Sequence, residues 1–156
     1  QTIIAQQLST KVADVIYKRL FDLLKKDINP LDVLETSEED LRRIGLSRSK
    51  IKYLKSLATH VVEHKIDFDK FKDMSNQEIV DQLIEIKGIG IWTAQMFLMF
   101  SMGRIDVFST GDLGLRNALK KLLNKPEMTH QEIEEYSHKW IPYRSFVSHF
   151  LWHLWD

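Results

Sequence analysis

Two glycines on either side of one isoleucine, Gly88-Ile89-Gly90, constrain the fold of this chain more than any other feature. Upstream, Asn76 to Ile84 has helical periodicity, with Ser75 as N-cap and Glu78 as its capping-box partner. Downstream, Ile91 to Ser101 is apolar on nearly every side, which is typical of a buried helix. Glycine tolerates positive φ and lets another backbone come close. The sequence therefore predicts a tight reversal between two helices.

This reversal also predicts a binding surface. The backbone amides of Gly88, Gly90 and the first turn of the next helix should point outward at the positive end of a helix dipole. Converging amides of this kind suit a phosphate oxygen, and we expect Ile89 to turn inward as a hydrophobic pin. We interpret the segment as a helix-hairpin-helix that grips a nucleic-acid backbone without reading its sequence. An isolated Gly-Ile-Gly also fits an ordinary helical turn, so the choice depends on the residues downstream of the second glycine.

A candidate catalytic acid, Asp112, lies 22 residues after Gly90. It comes just before a helical pattern that starts at Leu113, where an aspartate is by default an N-cap. The same helix terminus stabilises negative charge, which suits a reaction in which a cation develops. Asp106 competes for the catalytic role, and spacing alone does not decide between the two acids.

Composition limits the class of protein. A chain of 156 residues with 44% hydrophobic content can bury the core of one globular domain. The absence of cysteine excludes disulfides, zinc fingers and cysteine-bound iron–sulfur clusters. No apolar run is long enough to span a bilayer. The 22 basic and 22 acidic residues cancel, which argues against a strongly basic nucleic-acid coat.

The hydrophobic periodicity is near 3.6 residues throughout, which predicts an all-α fold. Before the central pair of helices, the sequence predicts the end of one helix at Gln1 to Gln7 and further helices at Thr10 to about Lys26, Pro30 to about Glu35 and Arg48 to about Glu63. Ser37 and Asp40 should open another helix, which ends at Gly45. After the central pair, helices are predicted at Asp112 to Leu123 and at Tyr143 to Trp155, with one between them that is capped by Thr129 and Glu132. The Thr10 helix should bury one stripe, made of Val12, Val15, Ile16, Leu20, Leu23 and Leu24.

Two further clusters have ordinary explanations. Six cations without an acid lie between Leu41 and Val62, and we expect a solvated helix face there. The turn at Leu41 to Ser47 faintly repeats the later hairpin, and we assign it no phosphate role. Aromatic residues crowd the last helix, where core packing should account for most of them. Tyr143, which follows Pro142, is the one placed to face a cleft.

Four pieces of the chain together resemble the helix-hairpin-helix DNA glycosylase superfamily, and within it the 3-methyladenine DNA glycosylase II branch. They are Ile3 to Ser9, Gly88 to Ala94, Asp106 to Asp112 and Trp140 to Ser145. They follow the family's order and span nearly the whole chain. The resemblance implies an all-α helix-hairpin-helix DNA glycosylase fold, with two helical lobes and a cleft between them. We expect one domain over residues 1–156, with a truncated N-terminus because the chain starts inside a helix.

The resemblance also implies roles for individual residues. Asp112 falls on the catalytic aspartate. The base pocket falls on Trp92, Tyr143 and Met96, and Trp92 stands where bifunctional relatives keep a Schiff-base lysine. The DNA contacts fall on Gln7, which would plug the gap left by an extruded nucleotide, and on the hairpin residues Lys87, Gly88, Ile89, Gly90 and Thr93. The sequence departs from the family pattern at Lys87, where proline is common, and at Thr110-Gly111, where a pair such as Pro-Asp is usual.

The resemblance implies a structural Na⁺ or K⁺ bound by the backbone carbonyls of Ile84, Ile86 and Ile89, and no required cofactor. The implied activity is that of a monofunctional glycosylase, which flips an alkylated purine of the 3-methyladenine type out of duplex DNA and hydrolyses its N-glycosidic bond. The expected partner is double-stranded DNA with alkylated bases. We expect a monomer without membrane attachment, in the bacterial cytoplasm or nucleoid, or in a eukaryotic nucleus.

Three alternatives remain open from the sequence. The chain could be a non-catalytic helix-hairpin-helix module that only grips DNA. It could also be a bifunctional glycosylase/lyase that uses another lysine, such as Lys87. A third possibility is an all-α scaffold in which every aromatic residue is core and Asp112 is only a helix cap.

Overall fold

The computed structural model describes residues 2–25 and 27–155, which form helices and connecting turns without any strand among them. The prediction of an all-α chain is confirmed. The parts of the predictions that fall on Gln1 and Lys26 lie outside the described residues. Within the described ranges, no helix combines the length and the apolar character needed to cross a membrane.

The chain divides into two compact units, one up to Thr93 and one from Ala94 onward. The expectation of a single domain over the whole chain stays a prediction. The helices of the first unit are α1 (Thr2–Ala5), α2 (Thr10–Leu23), α3 (Pro30–Glu35), α4 (Glu38–Arg43), α5 (Arg48–Val62) and α6 (Asn76–Ile84), with a 3₁₀ helix at Phe68–Asp73.

Short polar side chains cap α4 and α6, as predicted. Ser37 Oγ accepts the amide of Asp40 at the start of α4. Ser75 and Glu78 form the predicted capping box at the start of α6, where Glu78 Oε2 accepts the Ser75 amide at 2.7 Å. Gly45 has a φ of +106° just after the C-cap of α4, which is the conformation expected of a helix-ending glycine.

The core of the first unit lies between α2, α3, α4 and α5. Its buried members are Ile4, Ile16, Leu20, Leu24, Val33, Leu41, Leu46, Ile51, Leu54 and Ala58. The predicted stripe on α2 is wrong in half of its residues, because Val12, Val15 and Leu23 are exposed. Ala13 is buried instead, and residues 13, 16, 20 and 24 form the row that faces the core. Neighbouring residues differ by about 100° around a helix, so Val12 falls on the next row.

The division between the units falls within α7 (Ile91–Met96). The second unit continues with a π-helical turn at Phe97–Ser101, then α8 (Leu113–Leu123), α9 (His130–Ser137), a 3₁₀ helix at His138–Trp140 and α10 (Arg144–Trp155). Its core contains Phe108, Leu115, Ala118, Leu119, Ile133 and Leu151. Thr129 and Glu132 form the predicted capping box of α9.

The expectation of a helix buried on all sides from Ile91 to Ser101 is wrong. Ile91, Trp92 and Phe100 are 59%, 41% and 59% exposed. The segment is also not one α-helix, because the amide of Met102 donates to the carbonyl of Phe97 in the wider π pattern. A π turn has a wider period than an α-helix, so a 3.6-residue pattern does not describe the positions of Phe97–Ser101.

Core packing also fails to explain most of the aromatic residues of α10. Tyr143, Phe146, Phe150 and Trp155 are exposed. The buried face of the helix consists of Ser145, Ser148 and Leu151. The two serines hydrogen-bond to the segment 104–107, so small polar residues occupy the positions where large rings were expected.

Candidate functional site

Asp112 is the N-cap of α8, and its side chain is half-buried. Oδ1 accepts the backbone amide of Leu115 at 2.9 Å and the indole N–H of Trp152 at 3.0 Å. The predicted cap is therefore confirmed, and the carboxylate is not sealed in the core. A carboxylate has two oxygens with several acceptor positions, so capping through Oδ1 is compatible with a chemical role for the same group. The catalytic role stays a prediction.

Trp152 is a neighbour of the candidate acid that the sequence did not indicate. Its ring stacks on Phe100, with centroids 5.7 Å apart, and meets the edge of His149. The indole and Asp112 are 40 residues apart in the chain, so no local pattern could have joined them.

Asp106, the competing acid, forms a bidentate ion pair with Arg144. Oδ1 lies 2.7 Å from Arg144 Nε, and Oδ2 lies 3.0 Å from Nη2. Hydrogen bonding from the Arg144 guanidinium lowers the pKa of the Asp106 carboxyl, and burial opposes this shift only partly. Because both of its oxygens bind one guanidinium, we assign Asp106 a structural role rather than a catalytic one.

The Asp106 ion pair is one of several polar contacts that attach the start of α10 to the segment 104–107. Ser145 Oγ accepts the amide of Val107 at 3.0 Å and donates to the carbonyl of Arg104 at 2.6 Å. The Ser145 amide donates to the carbonyl of Ile105 at 2.9 Å. These bonds fix Tyr143, which directly precedes α10, relative to the segment that leads to Asp112.

The glycine reversal between α6 and α7 forms as predicted. Gly88 has a φ of +91°, and a Cβ at this position would stand 2.0 Å from Tyr53 Cγ. Gln6 joins the two sides of the reversal, since its Nε2 donates to the carbonyl of Gly88 at 2.9 Å and to Thr93 Oγ1 at 3.1 Å. Sequence reasoning missed both Gln6 and Tyr53.

The predicted DNA-contacting residues of the reversal differ in accessibility. Lys87 and Gly90 are exposed, and Gly88 and Ile89 are half-buried. Thr93 is only 6% exposed and its hydroxyl binds Gln6, so a DNA contact there would use the backbone. Ile89 was expected to be the inward pin, but the deeply buried residue of this turn is Ile86.

The three carbonyls predicted to bind a monovalent cation lie at and just beyond the C-terminus of α6. Ile84 ends that helix, and the carbonyl of Ile86 accepts the amide of Ile89 at 3.0 Å. A carbonyl oxygen accepts at two positions, so this bond is compatible with a cation ligand. Carbonyl oxygens at a helix C-terminus also carry partial negative charge. The chemistry of these oxygens suits a Na⁺ or K⁺ ion, and the cation site stays a prediction.

A cavity of about 420 Å³ lies beside the reversal in the first unit. It is lined by Gln6, Gln7, Ser47, Ser49, Lys50, Tyr53, Trp92 and Thr93. Three predicted site residues therefore meet here: Gln7, Trp92 and Thr93. Gln7 is exposed and has a φ of +57°, a left-handed conformation that turns the chain between α1 and α2.

The basic stretch of α5 is not only a solvated face. Lys50 Nζ donates to the carbonyl of Ile4 at 2.6 Å, and Lys55 Nζ donates to that of Leu34 at 3.2 Å. Burial lowers the pKa of the Lys50 amine. Lys50 lines the cavity together with Ser47, at the turn that was expected to have no phosphate role.

The predicted base-pocket residues are Trp92 in the first unit and Tyr143 and Met96 in the second. Trp92 is 41% exposed and Tyr143 is 58% exposed, so neither side chain is sealed in the core of its unit. Met96 is only 5% exposed and packs in the core.

Comparison with known proteins identifies the family. The HhH-GPD superfamily of base excision DNA repair proteins matches residues 1–143. DNA-3-methyladenine glycosylase 1 of Schizosaccharomyces pombe is 31% identical over 156 residues, which cover 97% of this chain and 68% of that protein.

Two solved structures share the fold. The DNA-3-methyladenine glycosidase of Bacillus halodurans has a TM-score of 0.88 and 36% identity, over 99% of this chain and 72% of that one. The S. pombe 3-methyladenine DNA glycosylase in complex with abasic DNA has a TM-score of 0.85 and 32% identity, over 97% of this chain and 75% of that one. The predicted glycosylase fold is confirmed. This chain belongs to the HhH-GPD superfamily of base excision DNA repair proteins.

Proposed function

We propose that this chain is a monofunctional DNA glycosylase that removes alkylated purines of the 3-methyladenine type from duplex DNA. The observation that carries the proposal is the half-buried Asp112 at the start of α8, in a chain that matches 3-methyladenine glycosylases over nearly its whole length. Action on chromosomal DNA would place the protein in the cytoplasm or nucleoid of a bacterium, or in a eukaryotic nucleus.

The glycine reversal would hold the DNA backbone. Gly90 is exposed, and no described atom lies within 4 Å of the position where its Cβ would be, so a phosphate can come close to the backbone there. Gln6 hydrogen-bonds to the carbonyl of Gly88, and the ring of Tyr53 packs against Gly88, so both residues support the reversal. A Na⁺ or K⁺ on the carbonyls of Ile84, Ile86 and Ile89 would add positive charge beside the same phosphate.

The damaged base must leave the stack before its glycosidic bond can be reached, which costs a few kcal/mol. Gln7 would occupy the gap that remains in the duplex, because its left-handed backbone and exposed side chain project from the turn after α1. We assign the contacts with the extruded base to the exposed side chains of Trp92 and Tyr143. An alkylated purine that carries positive charge would gain about 1–2 kcal/mol from such a ring face.

Asp112 would act when the glycosidic bond breaks. Positive charge builds on the sugar in this step, as it does in glycoside hydrolysis. The carboxylate stabilises that charge and orients the attacking water. A cationic base is already a good leaving group, so the reaction needs no strong general acid. Trp92 stands in place of the Schiff-base lysine, so hydrolysis ends at an abasic site without strand cleavage.

The decisive experiment is to incubate the protein with methylated DNA and to separate the released bases by chromatography. Asp112→Asn keeps a good N-cap, so it should fold and bind DNA but release no base. Asp14→Asn makes the same chemical change at an exposed position of α2 and should leave release unchanged. Release of 3-methyladenine that persists in Asp112→Asn would refute the catalytic assignment.

The same reaction distinguishes the remaining alternatives. Borohydride treatment should trap no covalent DNA adduct, whereas a trapped adduct would identify a bifunctional lyase. Duplex binding without base release from any alkylated substrate would identify a module that only grips DNA.

A further inference from the structure

The indole of Trp152 and the carboxylate of Asp112 form a hydrogen bond across the second unit. Trp152 Nε1 lies 3.0 Å from Asp112 Oδ1, the same oxygen that accepts the amide of Leu115 at 2.9 Å. A helix cap needs only a backbone amide. The indole therefore adds a second, rigid donor to an oxygen that already caps α8.

Aromatic contacts hold the indole in place. Phe100 stacks on Trp152 with an interplanar angle of 24°, and His149 meets Trp152 at 77°. Phe100 and His149 also contact each other edge-on, with centroids 5.2 Å apart. Three rings in mutual contact leave the indole little freedom to rotate, so its N–H keeps one direction.

Gly114 provides the space for this contact. A Cβ at Gly114 would stand 3.2 Å from Asp112 Oδ1 and 3.3 Å from Trp152 Cδ1. Contacts this short require the neighbours to move by a few tenths of an ångström. Gly114 lies in the first turn of α8, so a side chain there would push on the carboxylate and the indole together.

We propose that Trp152 is a positioning residue for Asp112, and that Gly114 leaves room for the pair. The indole N–H fixes the rotation of the carboxylate, and with it the direction from which the negative charge meets the sugar as positive charge develops. This assignment rests on the proposed function, since it acts through Asp112. Small displacements of a catalytic group are costly because the reaction needs a defined geometry.

The test compares Trp152→Phe with the wild type on methylated duplex DNA. Phenylalanine keeps a ring to stack on Phe100 but removes the N–H donor. We expect the single-turnover rate of base release to fall about 10- to 100-fold, with little change in affinity for abasic-site DNA. Trp140→Phe is the matched control, because Trp140 packs on Phe108 and Tyr136 in the same unit. Trp152→His returns a ring N–H and should recover part of the lost rate.

Gly114→Ala gives a second test that does not depend on the stability of Trp152→Phe. Alanine favours a helix over glycine, and this gain opposes the stability cost of the crowded contacts, so the thermal midpoint should change little. We nevertheless expect slower base release, because the new methyl group displaces the carboxylate and the indole. A purely structural role for the pair would not separate turnover from stability in this way.

The outcomes separate this inference from the proposed function. If Trp152→Phe and Gly114→Ala both keep wild-type turnover while Asp112→Asn loses it, the positioning role of Trp152 is wrong and the glycosylase assignment stands. If Asp112→Asn itself keeps releasing bases, the proposed function fails first.

Discussion

Gly88 packs against the ring of Tyr53 so closely that a Cβ on Gly88 would stand 2.0 Å from Tyr53 Cγ. The same glycine has a φ of +91°, where a side chain is strained even in open space. Two independent requirements therefore select glycine at this position. Gly90, two residues on, has neither constraint, since its φ is not positive and the described structure leaves room for a Cβ.

The first prediction concerns Gly88→Ala, which should lower the free energy of unfolding by at least about 2 kcal/mol, through backbone strain and overpacking together. Gly90→Ala is the matched control and should change stability little. Urea unfolding of both variants tests this. In a Tyr53→Ala background the cost of Gly88→Ala should be smaller, because only the strain remains. An equal cost in both backgrounds would show that the Tyr53 contact is not responsible.

Gln6 gives the second prediction. Removing its amide in Gln6→Ala deprives the carbonyl of Gly88 and the buried hydroxyl of Thr93 of their donor. Buried groups left without partners should lower stability by about 1–3 kcal/mol. Gln7→Ala is the natural control, since it makes the same change at an exposed neighbour. Equal thermal midpoints for the two variants would contradict the bracing role of Gln6.

Local sequence signals predicted two capping boxes correctly. The capping boxes at Ser75 and Thr129 need only residues three apart, so the sequence contains all the information that they require. Asp112 was predicted as both a cap and a catalytic acid, and the structure confirms the cap. The reversal at Gly88 was also predicted, because glycine at a positive φ is a local backbone requirement.

Contacts between distant segments were not predictable. Gln6 meets Gly88 across 82 residues, and Trp152 meets Asp112 across 40. Periodicity indicated that α2 is amphipathic but predicted burial of Val12, whereas Ala13 is the buried residue. Which face of α2 is buried depends on the helices that pack against it. The exposed rings of α10 have a similar cause, since serine hydrogen bonds rather than aromatic area hold that helix to the segment 104–107.

A third prediction comes from the Asp106–Arg144 pair, whose side chains are only 25% and 19% exposed. Asp106→Asn should lower the free energy of unfolding at neutral pH by about 1–3 kcal/mol, because the charged hydrogen bonds are lost. Hydrogen bonding from Arg144 lowers the pKa of Asp106 in the folded state. The pair's contribution is therefore fully present above the ordinary aspartate pKa of about 3.9, and it is lost as the pH falls through the lower pKa of the folded state.

Urea unfolding of wild type and Asp106→Asn at a series of pH values tests this sign. The difference between the two proteins should be largest near neutrality and should shrink in acid. Glu39→Gln removes an ion pair with Arg43 whose side chains are 75% and 69% exposed, and it should have little effect at any pH. A difference between wild type and Asp106→Asn that stays constant down to strong acid would rule out the ion pair as its source.

The last prediction separates a phosphate contact from general electrostatics. Lys87 is exposed directly beside the glycine reversal, where a DNA backbone would run under the proposed function. Each phosphate neutralised by a lysine adds about 0.9 to the slope of log K against log salt, through counterion release. Lys87→Gln should therefore reduce the magnitude of that slope by about this amount and weaken binding to any duplex sequence.

Lys121→Gln changes the net charge equally from an exposed position on α8, and its slope should match the wild type. Equal slopes for Lys87→Gln and Lys121→Gln, measured by fluorescence anisotropy across a salt series, would mean that Lys87 contacts no phosphate.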